Sequence, residues 1–565
     1  MKRLIAALMA AALVALTAGC GAQDDPTPAE PQGTGEIEAL AGTLNLHLGG
    51  EPESLDPAFA TTGSGGGYAV QLFEGLMSLD RDLALVGGVA EEWELGTSEG
   101  GLPQYTFTLR QDARWWDGQA VTAQDFVYAW QRVLDPQLGA DSAYLLYPIY
   151  NARLILEGET TEKADGTQET TRLDPDDLGV RAVDDHTLEV TLEGPTPYFL
   201  QLLTLPVFFP VRQDAVEQSP VGWSGTPETC LGNGPYRLSR WNHDRSMTMD
   251  WNDTYWGADE ASPRQLHFVL SQEDGALLAD FRRGALLVAA SYPPVERDTL
   301  LEEGLLREIP RLGTYYYSFN TQKEPLDNAL LRRAISLAVD RQLLADSGLF
   351  GRLPARGLVP QGVADQEGAG FRTPDNALLE LDLTQARELL TQAEYPQGQG
   401  LPPLVALTND TPGHVQMLTQ VAKMVQEELG IAITVKALPW EEFQAAKAEG
   451  EWDLVRSGMM GPVSDPYAYL DAFASDSPQN DAWYENKDYD KALAGSRTAK
   501  DAQERLEDLR RLEELLVLED AAVLPLTFYS QELLVCPDLT GLVVSPAGYP
   551  YLRWAEVPAG CGLAE

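Results

Sequence analysis

The chain has 565 residues, 44% of them hydrophobic and 22% charged, with 12 Trp and 21 Tyr; this is the make-up of a folded protein of about three or four domains, not of a disordered one. A formal net charge of −46 excludes nucleic acid as a partner, because phosphate binding needs a clustered positive surface. The five His are scattered and no CxxC pair occurs, so neither a metal site nor a cofactor is expected.

The chain opens with "MKRLIAALMAAALVALTAGC". Lys2 and Arg3 form a basic head, residues 4–16 an apolar run, and small residues lead to Cys20. The run is too short for a membrane span. Its end, "LTAGC", resembles a bacterial lipobox, which implies a signal peptide over 1–19, cleavage before Cys20 and a diacylglycerol on its sulfur. Residues 20–42 are rich in Pro, Gly, Thr and acid without periodicity, and read as a flexible tether. Three cysteines remain. Cys536 and Cys561, both near the C-terminus, are the candidate disulfide outside the cytosol, which leaves Cys230 as a buried free thiol.

Next, "TLNLHL" (43–48) alternates as a strand, "TTGSGGG" (61–67) reads as a flexible loop, and "YAVQLFEGLMSLD" as a helix packing Val70, Phe73, Leu76 and Met77. No Gly-Lys-Ser/Thr follows, so this is not a phosphate loop. "EEWEL" and "QYTFTLR" form a hairpin. Its loop carries Gly96, Ser98 and Gly100 in the spacing of a nucleophile elbow, but a strand follows where the elbow needs a helix. Ser98 is assigned no catalytic role, and no enzyme is expected. In "VTAQDFVYAWQRVLDP", Thr122 caps a helix with Asp125 three residues on, Phe126, Val127 and Trp130 face inward, and Pro136 ends it. Asp184-Asp185 turns one strand into the next. "GNGPYRLSRW" and "SMTMDWNDTYW" read as paired strands, and "TYYYSFN" (314–320) as a strand of large side chains. From there helices ("NALLRRAISLAVDRQLL", "DLTQARELLTQAEY", "HVQMLTQVAKMVQEELG", about 500–519) alternate with strands ("IAITVKALPW", "AAVLPLTFYS"), which predicts an α/β architecture.

One stretch breaks the pattern. "EWDLVRSGMMGPVSDPYAYL" (451–470) opens as a buried strand, then runs into a charge, two Met, two Gly and a Pro. Gly and Pro weaken a ladder and mark places where something approaches the backbone.

The order of "SLDP" (54–57), "LFEGLM" (72–77), "ARWWDGQAVTAQDFVYAWQRVLDP" (113–136), "VDDHTLEVTL" (183–192), "GNGPYRL" (232–238), "YYYSFN" (315–320) and "LRRAISLAVDR" (331–341) resembles that of extracellular solute-binding proteins of the oligopeptide/dipeptide family, family 5, the receptors of ABC importers. The resemblance implies a two-lobed, three-domain periplasmic-binding-protein-like fold of the type II large-cluster kind, with a hinge and a central ligand cleft. One domain would combine 43–73, 206–313 and 531–565; 74–205 would be its accessory domain; 314–530 would form the second lobe, with hinges near 312–313 and 529–531. The protein would be a monomer, held outside the cytoplasm on the cell membrane by its lipid (in the periplasm of a Gram-negative cell), with peptide ligands and ABC permease subunits as partners. The same fold also serves non-peptide ligands (nickel chelates, haem, opines, sugars) and ligand reception for signalling.

In peptide-binding members of the family, the strand matching 456–461 runs beside the ligand and hydrogen-bonds its main chain. Gly458 and Gly461 would permit close backbone approach, Met459 and Met460 would adapt to varied side chains, and Arg456 would meet a carboxylate. Trp440 and His414 fall on family cleft positions, and Lys447 stands where relatives carry Arg, placed to pair with a peptide C-terminus. The departures are Pro462, where peptide receptors place the Asp that binds the ligand's α-ammonium, Ser318 in place of an acid, and the absence of the Cys pair that some relatives have at Gly313 and Met460. Binding is therefore expected to depend weakly on a free N-terminal amine.

Overall fold

The structure, a computed structural model, describes residues 42–60, 63–162, 168–257, 263–363, 370–499, 501–559 and 561; the expected signal peptide, Cys20 and most of the tether lie outside them. Its centre is an eleven-stranded mixed sheet. The strands are β1 (Thr43–His47), β2 (Tyr236–Asn242), β3 (Ser246–Trp251), β4 (Gln265–Val269), β5 (Val288–Ala289), β6 (Leu306–Phe319), β7 (Leu353–Pro354), β8 (Leu404–Asn409), β9 (Ile433–Leu438), β10 (Leu454–Met460) and β11 (Val523–Val535). They lie in the order β2-β3-β4-β1-β5-β11-β6-β10-β8-β9, with β7 against β11.

Two strands make the molecule two-lobed. β6 has 14 residues and β11 has 13, so each spans roughly 45 Å at about 3.3 Å per residue. Their outer halves border the cores that include Leu44, Leu46, Phe268 and Leu533 and, beyond them, Phe281 and Leu534. Their other halves enter separate cores on the two faces of the sheet. Tyr315 and Tyr317 join Leu454 and Leu526 on one face, and Tyr316 joins Phe473 and Leu516 on the other. The alternation of "TYYYSFN" produces this split, because successive strand side chains point to opposite faces. Between the lobes the ladder breaks. Pro310 pairs with Ser530 and Thr314 with Phe528, which leaves Arg311, Leu312 and Gly313 opposite Tyr529 alone. Such a bulge bends and twists the strands that carry it.

A four-stranded antiparallel sheet (Ala90–Thr97, Pro103–Leu109, Thr187–Thr191, Val180–Asp184) and the helix Ala123–Val133 pack onto the first lobe and share its core. The helix carries the expected capping box between Thr122 and Asp125. The quoted motifs turn out to be braces. Asp56 of "SLDP" takes both ends of Arg132 at 2.6 and 3.1 Å and the Trp223 indole N–H at 3.0 Å. Asn233 of "GNGPYRL" donates to the Glu74 carbonyl and accepts from its N–H, while the Glu74 carboxylate accepts from Tyr255 and Trp256, each at 2.6 Å. Ser98 sits in the hairpin loop, its hydroxyl accepting from the Leu102 N–H.

Two expectations fail. "NALLRRAISLAVDRQLL" is not one helix but two, Ala329–Leu337 and Arg341–Ser347, the second capped by the Asp340 side chain, which accepts from the Leu343 N–H. The glycine run is not a loop but the start of a helix, Gly63–Leu72, which ends earlier than predicted, with Met77–Leu79 a strand. Glycine's low helix propensity is overridden by packing: a Cβ on Gly66 would stand 2.1 Å from the Tyr549 ring, and one on Gly67 3.3 Å from Pro550. Cys536 and Cys561 are disulfide-bonded, and Cys230 is a buried free thiol.

His47, 3% exposed at the end of β1, gives a pH prediction. Burial lowers its pKa from 6.5 to about 4, against the smaller opposing pulls of the Ser271 backbone and Asp274. The unfolded chain therefore takes a proton that the folded one refuses, so the stabilisation is present above about pH 6.5 and drains as pH falls toward 4. The melting temperature should fall from pH 7.5 to pH 5, and less steeply in His47→Gln; an equal fall in both proteins would contradict this.

Candidate functional site

β10 pairs with β6 along its whole length, from Leu454↔Phe319 to Met460↔Gly313. On its other side it pairs with β8 only at Leu454 and Val455. From Arg456 to Met460 no strand of the described residues pairs with that second edge, which is open in the segment where the sequence pattern breaks down. Gly458 and Met460 are exposed there, Met460 at 51%. The glycines fit around fixed neighbours: a Cβ on Gly458 would lie 2.7 Å from the Tyr529 hydroxyl, and one on Gly461 2.2 Å from that of Tyr469.

Strand alternation places Arg456 on the same face as its cross-strand partner Tyr317 and the neighbouring Tyr315. The guanidinium carbon lies 5.7 Å from the Tyr315 ring centre, its Nε is buried without a hydrogen-bond partner, and Tyr529 stands close by. His414, on the helix Pro412–Leu429, joins this cluster. Its Nδ1 is 3.0 Å from the Tyr315 hydroxyl, and Phe350 stacks over both rings at 4.4 and 4.2 Å. Burial, and then the Arg456 charge, lower the His414 pKa to about 4. At neutral pH the imidazole is uncharged and Arg456 carries the charge of the cluster.

The other predicted residues stand elsewhere. Met459 packs into the opposite face, against the core of Tyr316 and Phe473. Lys447 Nζ lies 2.5 Å from Asp481, which also accepts from Ser457 at 2.9 Å, so this cation is already engaged. Trp440, two helical turns before Lys447 on the same helix face, is 54% exposed and stacks on Phe443. Ser318 is fully buried inside the second lobe. Among the described residues no group of three or more His, Cys, Asp and Glu is placed to hold a metal ion.

Pro462 lines a cavity of about 830 Å³ between the lobes. One wall is Pro462 to Pro466 with Arg505, the other the turn around Asp82 to Leu85, and Ile309, Ala547 and Tyr549 lie between. Arg456, His414 and Trp440 do not line it. Asp465, the carboxylate nearest to Pro462 in sequence, is bound by Arg505 through both oxygens, at 2.9 and 3.0 Å.

Sequence reasoning did not single out Tyr315 or Phe350 as site residues, and named Tyr529 only as part of a hinge. Alternation in "TYYYSFN" was the available signal for Tyr315. Phe350 lies between elements and carried none.

The profile of bacterial extracellular solute-binding proteins, family 5 Middle, matches residues 84–481. The dipeptide-binding protein DppE of Bacillus subtilis is 31% identical over 543 residues, covering 95% of this chain and 96% of the relative. The unliganded open form of the periplasmic murein tripeptide binding protein MppA matches with a TM-score of 0.79 at 31% identity, over 92% of this chain and 98% of that one. Haemophilus influenzae OppA in complex with the peptide RPPGFSPFR matches with 0.63 at 29% identity, over 92% and 100%. At nearly equal identity and coverage, the better match of the two is the open, unliganded form. On the profile, the relatives and the fold alike, the chain belongs to the bacterial extracellular solute-binding proteins of family 5.

Proposed function

We propose that this protein is a lipid-anchored extracytoplasmic receptor that captures oligopeptides between two closing lobes and delivers them to an ABC permease, without catalysing any reaction on them. The observation that carries the reading is the open edge of β10. An unpaired strand edge recognises extended peptide of any sequence, because its donors and acceptors pair with a ligand main chain while side chains vary. The five residues from Arg456 to Met460 offer about 17 Å of edge, enough for a short peptide. The relatives DppE and OppA bear names or titles that state peptide binding, which supports the same reading.

In this proposal 43–73, 206–313 and 531–565 form one domain with 74–205 as its accessory, 314–530 closes against them, and the bulge at 311–313 opposite Tyr529 is the hinge. Ligand contacts to both lobes would drive closure, since only differential affinity shifts a two-state equilibrium. The lipid would sit on Cys20. With Pro462 in place of an acid and Asp465 held by Arg505, the ligand's N-terminal amine has no anchor at that position.

Native mass spectrometry of the purified protein tests the reading. Co-purified peptides should appear as a ladder of added masses. A single discrete non-peptide mass, or no uptake of added tetra- to hexapeptides, would overturn it.

A further inference from the structure

Even in a chain of net charge −46, buried arginines occur without an ion pair among the described residues; Arg332 and Arg341 spend their guanidiniums mainly on backbone carbonyls. The charged neighbours of the cleft are mostly compensated: Arg505 by Asp465, Lys447 by Asp481, and Arg352 by Glu532 at 3.1 Å. Arg456 and Arg311 are different. Among the described residues neither forms an ion pair with a carboxylate, and the Nε of each is buried without a hydrogen-bond partner. Among the described residues Arg311 donates only to neutral oxygens, the Gln531 side-chain carbonyl at 3.0 Å and the Ala547 carbonyl at 2.7 Å.

The sheet places the β11 neighbours of the two arginines on one face. Arg456 stands beside Tyr529 and Arg311 beside Gln531, and these two residues of β11 are two positions apart, so they face the same way. Their anchor points along β11 are therefore about 7 Å apart. Arg311 also projects from the bulge between the lobes, where Gly548 leaves room for it: a Cβ at Gly548 would lie 2.0 Å from the Arg311 guanidinium carbon. A small cavity of about 100 Å³ opens beside it, lined by Leu48, Gln531 and Gly548 among others, with space for about three waters or the carboxylate end of one side chain. The Ala547 that accepts from Arg311 also lines the large inter-lobe cavity. Among the described residues, the other carboxylate that lines that cavity besides Asp465 is Asp82, on the opposite wall. Burial depresses the Arg311 pKa, the mark of a charge stripped of water without a counter-charge to replace it.

We propose that Arg311 is a second anion-binding residue of the cleft, and that the receptor selects acidic peptides, one carboxylate meeting Arg456 and another meeting Arg311. This rests on the peptide-receptor reading and names its substrate class. The strongly negative protein surface does not prevent it, since exposed charges are screened over about 8 Å at physiological salt while the two arginines act at contact.

The test offers the full mature protein two equimolar libraries of tetra- to hexapeptides. They are identical except that each member carries one Glu in the first and one Gln in the second, and bound masses are read by native mass spectrometry. The Glu library should outnumber the Gln library on the protein at least tenfold. In Arg311→Gln the ratio should fall to within about twofold, and Arg311→Lys should retain a preference. Equal uptake of both libraries by the unmodified protein would overturn the acidic-ligand inference and leave the peptide-receptor reading standing. An Arg311→Gln protein that binds Gln peptides and keeps the full preference would remove Arg311 from the account. Uptake of neither library would overturn both readings.

Discussion

Replacing Glu513 by Ala is expected to destabilise the second lobe by about 3–5 kcal/mol, the cost of breaking a buried ion pair from one side. Glu513 is fully buried. One oxygen accepts from the Leu358 and Val359 N–H groups at 2.6 and 2.8 Å, and the other from Arg372 Nε at 2.5 Å. The substitution strands a guanidinium and two amides at once, because Arg372 is itself only 6% exposed and water cannot replace the carboxylate. The pair ties the helix Ala502–Glu514 to the segment after β7 and so fixes the wall behind Leu312 and Gly362. Glu513→Gln should lose less, since its amide oxygen can still accept from both N–H groups. Calorimetry should show the affected transition lowered by roughly 10 °C, at about 2–4 °C per kcal/mol for a unit of this size; a shift under about 2 °C would contradict the assignment.

Arg456→Ala is expected to weaken peptide binding by about ten- to a hundredfold, with little change in stability. A hydrogen bond to a charged group contributes about 1.5–3 kcal/mol, and among the described residues Arg456 has no carboxylate partner to lose. The contrast with Lys447 makes the prediction specific. Lys447→Ala removes a cation already held by Asp481 and should chiefly expose that carboxylate. Titration calorimetry with one Glu-containing pentapeptide decides it: Arg456→Ala binding as tightly as the unmodified protein would place the ligand elsewhere.

What could be read from the sequence was what short-range chemistry dictates. Thr122 and Asp125 are three residues apart, and their capping box requires nothing beyond that turn. Alternation in "TYYYSFN" carried the split of Tyr315 and Tyr316 between two cores, although it takes the sheet to show which face looks at Arg456. The glycine run failed as a prediction because its constraint is remote: Tyr549 lies hundreds of residues away and demands a side chain no larger than hydrogen at Gly66. Lys447 was read as a ligand contact for the same reason, since Asp481 pairs with it only after the chain has folded back. The Gly and Met of 458–460 do stand at the end of the strand Leu454–Met460, with Pro462 just beyond it. That strand's open edge was not legible, because that depends on β8 ceasing to pair after Leu407. Arg311 drew no attention in the sequence, where one arginine looks like another; it stands out only once the fold sets it in the bulge at 311–313 with no carboxylate partner among the described residues.

Hydrogen exchange along β10 tests the central claim most directly. In the ligand-free protein the amides of 456–461 that face the open edge should exchange quickly, while their neighbours paired with β6 exchange slowly. Saturation with a mixture of tetra- to hexapeptides should slow those edge amides by at least tenfold, with the segment around the bulge at 311–313 changing alongside as the lobes close. Peptide binding that leaves exchange at 456–461 unaltered would contradict capture on this strand.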